Sequence, residues 1–382
     1  MLDIATKNWV EISKSALVAN VEAIKRPLKP GVNFMAVVKS NAYGHGIAPT
    51  VRAIGKKVDW FGVDSVIEAE EVKKFAGQKQ PNILILGHTP STAHHRVIQP
   101  GFRQVVYDRP TILSLAKLAK PKRPAKIHLK IETGTSRQGM LIDDLSSFLR
   151  WIKQKKSIQL EGLYTHFANI EDTSDPIYAL KQLKRFKTAV AITESLIGRP
   201  KILHTACSAA ALLYPETQFD LVRVGISLYG MWPSELTQEN VKLVGNRVIL
   251  KPALTWKTRI VQIKNIARGT PISYGLTEKV SRNSKIAVLP IGYWDGFDRG
   301  WSSIASVLVH GKRAKVLGRV CMNMCIVDVT DIRSAQPGDE VVLLGQQGKE
   351  NIRAEELAAK IGTINYEVVT RINPLLPRII VE

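Results

Sequence analysis

The stretch AVVKSNAYGHG, Ala36 to Gly46, closes an apolar, β-branched run on a single lysine, Lys39, and follows it with a glycine-bearing loop. A run as apolar as Phe34-Met35-Ala36-Val37-Val38 reads as a strand buried on both faces, the pattern of a parallel sheet. From here to about residue 230 the chain repeats one rhythm. NFMAVVK, WFGV, NILIL, QVVY, KIHLKI, QLEGLY, KILH and DLVRVG are short strand candidates. Segments of helical spacing lie between them, among them APTVRAIGKK, VIEAEEVKKFA, TILSLAKLA, DDLSSFLRWIKQ and YALKQLKRFKTAVAITESLI. Eight β/α units predict an α/β fold, a parallel (β/α)8 barrel of the TIM type. A doubly wound open sheet is the competitor, but no Gly-x-Gly-x-x-Gly follows an early strand to support it.

After Gly230 the rhythm changes. LTWKTRIVQIKNI, KIAVLPIGY, SIASVLVHGKRAKVLGRV, CIVDVT and DEVVLLG read as strands separated by Gly and Pro turns, with one helix, AEELAAKIG, near the end. The expected organisation is a barrel over residues 12–240 and a mostly β domain over residues 241–382, with residues 1–11 (NWVEIS alternates like a strand) joining the second sheet.

Composition narrows the function classes. With 382 residues, 45% of them apolar, the chain can bury a large core. It carries no run long enough for a membrane span and no signal-peptide centre at its start, and its three cysteines (Cys207, Cys321, Cys325) give no disulfide framework, so a cytoplasmic protein is expected. Cys321 and Cys325 have no second Cys/His pair nearby, so core cysteines are expected and no metal. The net charge of +21 favours acidic partners in principle. The charge is spread along the chain, and LKQLKRFKTAVAI has the spacing of a helix whose lysines face solvent, so neither nucleic acid nor membrane is expected as a partner.

In such a barrel, chemistry gathers at the C-terminal strand ends. Lys39 follows the first strand and Arg137 the fifth, His166 follows the sixth and Ser208 the seventh, and Arg223, Gly225 and Ile226 belong to the eighth and its exit. Alone, each has a bland reading as a surface lysine, a core histidine, an ion-pair arginine or a turn glycine. Together, a buried ring of Lys39, Arg137 and Arg223 requires an anion. A phosphorylated ligand supplies one, with Ser208 and the backbone N–H groups of Gly225 and Ile226 as donors.

AVVKSNAYGHG resembles the pyridoxal-phosphate attachment motif of the alanine racemases, a family of fold-type III pyridoxal-phosphate enzymes. EGLYTHFAN, VRVGISLYG, LKPALTWKTRIVQIK, ISYGLTEK, PIGYWDGFDR, GRVCMNM and GTINYEVVTRI resemble further blocks of that family, in the same order. The resemblance implies a cytoplasmic enzyme that uses pyridoxal 5'-phosphate to interconvert L- and D-alanine by a two-base mechanism, supplying D-alanine for peptidoglycan. Lys39 would hold the cofactor covalently and serve as one base. Tyr274 would be the other, reaching the site from the partner subunit of a head-to-tail homodimer. Tyr43, Ser208, Gly225, Ile226 and Tyr366 would hold the phosphate. Arg137 would face the phenolic oxygen, His166 would lie against the ring, and Arg223 would meet the ring nitrogen. Met322 would contact the substrate carboxylate, and Lys130 matches a lysine that is carbamylated in many members. The alternatives are a racemase of another small amino acid such as serine, and a non-catalytic carrier of the cofactor.

The chain departs from the family pattern in places. Glu132-Thr133-Gly134-Thr135-Ser136-Arg137 stands where Asp-Thr-Gly-Met-Gly-Arg is common, Cys207 where Asn is usual, Asn323 where Asp is common, and Ser40 where Ala is common.

Overall fold

The computed structural model describes residues 6–245 and 247–382. The chain divides into two compact units. One holds Ala16–Ser40 and Thr50–Lys251; the other holds Asn41–Pro49, Pro252–Glu382 and the described residues before Ala16.

The first unit is the barrel. Its eight parallel strands are Asn33–Val37, Trp60–Val63, Asn82–Ile85, Arg103–Val106, Ala125–Lys130, Ile158–Tyr164, Ile202–His204 and Leu221–Val224. Each of the first seven pairs with its sequence neighbour, and the eighth returns to the first, with Asn33 opposite Leu221 and Ala36 opposite Val224. The seam between the seventh and eighth is bridged by Asp220 N–H donating to Leu203 O at 3.0 Å and Arg223 N–H to Ala206 O at 2.9 Å. Apolar strand and helix faces pack together: Ile127, Leu129 and Leu163 meet Leu145, Phe148, Leu149 and Phe186. Helix starts are capped as their sequences dictate. Ser65 and Glu68 form a capping box before Val66–Phe75, and Asp108 accepts from Thr111 N–H before Arg109–Leu118. A helix not anticipated from sequence, Glu235–Leu243, starts at a Ser234 cap.

The second unit is built on a ten-stranded, mostly antiparallel sheet. Its opening strand, Trp9–Ser13, lies antiparallel to Leu254–Arg259 on one side and parallel to Arg378–Val381 on the other. Residues 1–5 lie outside the described residues. Trp256, Phe297 and Trp301 pack edge to face in its core. A short hairpin, Pro271–Ile272 against Glu278–Lys279, presents Tyr274 at its turn. Besides the expected helix, Ala354–Ala359, a second one occurs at Asn365–Thr370 and carries Tyr366. Among the described residues, no helix is long and apolar enough to cross a membrane.

Candidate active site

The first strand delivers Lys39 directly into an unusual turn. Ser40, Asn41, Ala42 and Tyr43 all have φ between 52° and 55°, a single left-handed helical turn made without glycine. Such residues cost roughly 1–2 kcal/mol each, so the turn stores about 4–8 kcal/mol. Local bonds hold it: Gly46 N–H donates to Asn41 O at 2.8 Å, His45 N–H to Ala42 O at 3.0 Å, and Ile47 N–H to Asn41 Oδ1 at 3.2 Å. Stored strain at a strand exit is a mark of functional sites.

Within the barrel unit, Arg223 is buried and its guanidinium is surrounded by neutral acceptors. Its Nη1 donates to His204 Nδ1 at 2.8 Å and His204 O at 3.1 Å. Its Nη2 donates to Thr165 O and Thr205 O, both at 2.9 Å, and to His166 Nδ1 at 3.2 Å. Among the described residues nothing accepts from its Nε–H. Because an arginine only donates, His166 must receive at Nδ1 and carry its proton on Nε2. Burial, then the cations Arg223, Arg137, Lys130 and Lys39, hold His166 well below the ordinary histidine range, so it is neutral. Lys130 is pulled down to about 8, first by burial and then by Arg137 and Arg223. These cations share one neighbourhood, in which the charge of Glu132 opposes them at Lys130.

The cationic ring predicted from sequence needs correction. Arg223 and Lys130 are buried, but Lys39 is half-buried and Arg137 is exposed. The polar exit loops leave the fifth strand's arginine open to water. A loop brace missed from sequence positions that arginine. Glu132, noted only as a departure, accepts from Gly134 N–H at 2.5 Å, Thr135 Oγ1 at 3.0 Å and Arg137 N–H at 3.3 Å. Burial opposes the Glu132 charge, but these bonds outweigh it and keep the carboxyl below its usual range. From Ile177–Ile197, Tyr178 donates to Gly134 O at 2.8 Å, Gln182 to Thr133 Oγ1 at 3.1 Å and Arg185 to Thr133 O at 3.0 Å. Their near-helical spacing was the signal available for finding them.

At the exit of the seventh and eighth strands, Ser208 Oγ accepts from Gly225 N–H at 3.1 Å, so its own hydroxyl proton is left to donate. The neighbouring Ser227 Oγ is buried and has no hydrogen-bond partner among the described residues. Cys207 precedes Ser208, and burial pushes its thiol up.

The second unit holds the remaining predicted residues. Tyr43 and Tyr366 lie with ring centroids 6.1 Å apart. Gly44 sits at φ +81°, and a Cβ there would stand 1.9 Å from Val369 O, so the loop abuts the helix of Tyr366 as only glycine permits. Arg378 Nε donates to Gly44 O at 3.1 Å. Tyr274 is 73% exposed and Met322 54%. Ser273 Oγ donates to Arg319 O at 2.7 Å, and Trp294 N–H to Met322 O at 3.0 Å, which ties the Tyr274 and Met322 loops into one surface.

A phosphorylated aldehyde fits the barrel residues. The mouth offers an amine at Lys39, an open Nε–H on Arg223, a spare hydroxyl proton on Ser208 and the orphaned Ser227 hydroxyl, in a cationic field.

Comparison with known proteins points the same way. Residues 12–233 match the family model described as alanine racemase, N-terminal domain, and residues 253–380 match alanine racemase, C-terminal domain. The chain is 41% identical over 380 residues to an alanine racemase of Leptospira interrogans serovar copenhageni, covering 98% of this chain and 96% of the relative. It is 39% identical over 375 residues to an alanine racemase of Methanococcus maripaludis, covering 97% and 98%. A crystal structure of alanine racemase from Bacillus anthracis with bound L-Ala-P superposes with a TM-score of 0.91 at 32% identity, covering 100% of this chain and 96% of that one.

Proposed function

The chain belongs to the alanine racemase family, and from that premise we propose that it interconverts L- and D-alanine with pyridoxal 5'-phosphate, providing D-alanine for peptidoglycan. The observation that carries this reading is Arg223, a buried cation whose acceptors are all neutral and whose Nε–H remains open. In this reading the barrel, residues 12–240, holds the cofactor through Lys39, Arg137, His166, Ser208, Arg223, Gly225 and Ile226. Tyr43 and Tyr366 complete the phosphate site. The β region, residues 241–382, contributes Tyr274 and Met322.

When bound, pyridoxal phosphate supplies a conjugated electron sink that acidifies the Cα–H of the amino acid joined to it. Arg223, always charged and holding its protons tightly, leaves a ring nitrogen that it meets unprotonated. Arg223 would thereby favour return of the proton to Cα over its loss elsewhere, as racemisation requires. Lys39 Nζ takes and returns the proton on one face of Cα, and Tyr274 Oη on the other. His166, neutral with its proton on Nε2, passes the influence of Arg223 toward Tyr274. Arg137, braced by Glu132, and Met322 orient the substrate carboxylate.

The second base comes from a second copy of the chain in this reading. The exposed loops of the second unit support it: Tyr274, Leu276, Tyr293, Trp294, Met322 and Met324 are large, apolar and open, and a surface of that kind marks a protein interface.

The test is isotope exchange. Purified protein with added pyridoxal phosphate is incubated with L- or D-alanine in deuterated water, and Cα–H loss and optical rotation are followed together. Both enantiomers should exchange and converge on an equal mixture, faster than serine. Cofactor absorbance without convergence would make the protein a carrier; faster convergence with serine would reassign the substrate.

A further inference from the structure

The barrel interior holds a line of buried polar groups that the roles above do not use. Arg223 Nη1 donates to His204 Nδ1 at 2.8 Å, and His204 Nε2 lies 2.8 Å from His128 Nδ1. His128 Nε2 stands 3.5 Å from Glu161 Oε2, too poorly aligned for a hydrogen bond, and makes none among the described residues. Glu161 accepts from Arg103 Nε at 2.8 Å and Nη2 at 3.4 Å. Both imidazoles are fully buried and Glu161 is 4% exposed, and the side chain of Arg103, the first residue of the fourth strand, is 12% exposed. The line therefore runs from the strand starts to the guanidinium at the mouth.

Proton bookkeeping gives the line a direction. Arg223 can only donate, so His204 must present a bare Nδ1 and carry its proton on Nε2. That proton points at His128 Nδ1, which must then be bare too, so the proton of His128 sits on Nε2 and faces Glu161. A carboxylate can only accept, so the two ends of the line demand the same arrangement. Burial holds both histidines neutral. Burial works against the charge of Glu161, but His128 and Arg103 outweigh it and bring the carboxyl down to about 2.

Three further features are built around this line. The pairing of the fifth and sixth strands slips at Glu161: Ile127 faces Leu160 and His128 faces Gly162, so Glu161 is the extra residue of a bulge. Bulges re-aim side chains and gather beside active sites. Gly162 makes room for His128, since a Cβ there would lie 2.4 Å from its Nδ1. Tyr164 stacks flat on His204, with centroids 4.6 Å apart and planes within 4°, and its ring also lies under Arg223 at 5.1 Å.

We infer that Glu161 is a positioning residue for Arg223: through His128 and His204 it fixes the acceptor lone pair that holds the guanidinium with its Nε–H toward the ligand. This rests on the proposed role of Arg223 against the cofactor ring. A residue that only neutralised Arg103 would need neither the bulge nor the two intervening imidazoles.

The test uses holoenzyme labelled with 15N-histidine. In the wild-type protein, His128 and His204 should both show the Nε2–H tautomer; an Nδ1–H or doubly protonated ring at either position overturns the inference. In Glu161→Gln the His204 Nδ1 signal should move, and kcat should fall about tenfold with KM unchanged, as expected when a positioned donor loosens. Glu161→Asp should recover part of the loss. An unmoved His204 signal and unchanged kcat, with only a lower Tm, would reduce Glu161 to a stabilising role. Gly162→Ala serves where Glu161→Gln does not fold: it displaces His128 and leaves the Glu161–Arg103 pair intact. It should reproduce the fall in kcat, and full activity with a displaced His128 signal overturns the inference. Failure to bind pyridoxal phosphate at all, read from visible absorbance, would instead sink the functional reading, while the tautomers would still report on the line itself.

Discussion

Tyr274 and Lys130 make the sharpest statements at the scale of single residues. Tyr274→Phe removes one proposed proton donor-acceptor and leaves Lys39 in place. Cα exchange starting from one enantiomer should slow at least about 100-fold more than from the other, in line with what one acid–base group contributes; equal losses would contradict two distinct bases. Lys130 gives a pH prediction for the apoprotein. Burial first, then Arg137 and Arg223, bring its ammonium to about 8. The unfolded chain, with an ordinary lysine, binds that proton more tightly. Stability is therefore lowered by a constant amount below about pH 8 and recovers as pH rises toward about 10.5, by about 3 kcal/mol. Urea melts across this window should show the rise in wild type, and Lys130→Met should remove it. Among single residues, sequence spacing and the family resemblance were enough to nominate Lys39, Arg223 and Ser208. They were silent on His128, His204 and Glu161. A lone polar residue inside KIHLKI or KILH reads as ordinary strand alternation until the partner strands are in place.

At the scale of elements, the turn after Lys39 is the feature that local propensity could not reveal. Ser40-Asn41-Ala42-Tyr43 contains no glycine, yet it is left-handed throughout. Its tolerance of strain depends on Gly44 lying against Val369 O, together with the Arg378 contact to Gly44 O. Gly44→Ala adds a methyl both to a left-handed residue and to a backbone contact. It should destabilise the protein by roughly 3 kcal/mol or more in denaturant melts. The helix Asn365–Thr370 was illegible for a related reason. It is a single turn and a half, rich in β-branched Val368, Val369 and Thr370, which are poor helix formers, so packing and not propensity decides it. The eight barrel strands were legible because strands buried on both faces must be apolar throughout.

At the scale of the whole molecule, the proposed sharing of each site between two chains has a countable consequence. Lys39→Ala and Tyr274→Phe subunits, each strongly impaired in racemisation as a homodimer, should regain racemase activity when mixed in equal amounts, unfolded together and refolded. Half of the dimers are then mixed, and one of the two sites in each mixed dimer is intact, so activity should return to about a quarter of wild type. No recovery, with mixed dimers demonstrated by mass, would place Tyr274 and Lys39 of one site on the same chain.

The proposed chemistry depends on the amine at position 39. Cofactor-loaded protein is reduced with borohydride, digested and mapped by mass. The predicted result is a pyridoxyl-phosphate adduct on Lys39. An unmodified Lys39 peptide from fully loaded protein, or an adduct on Lys130 in its place, would contradict it.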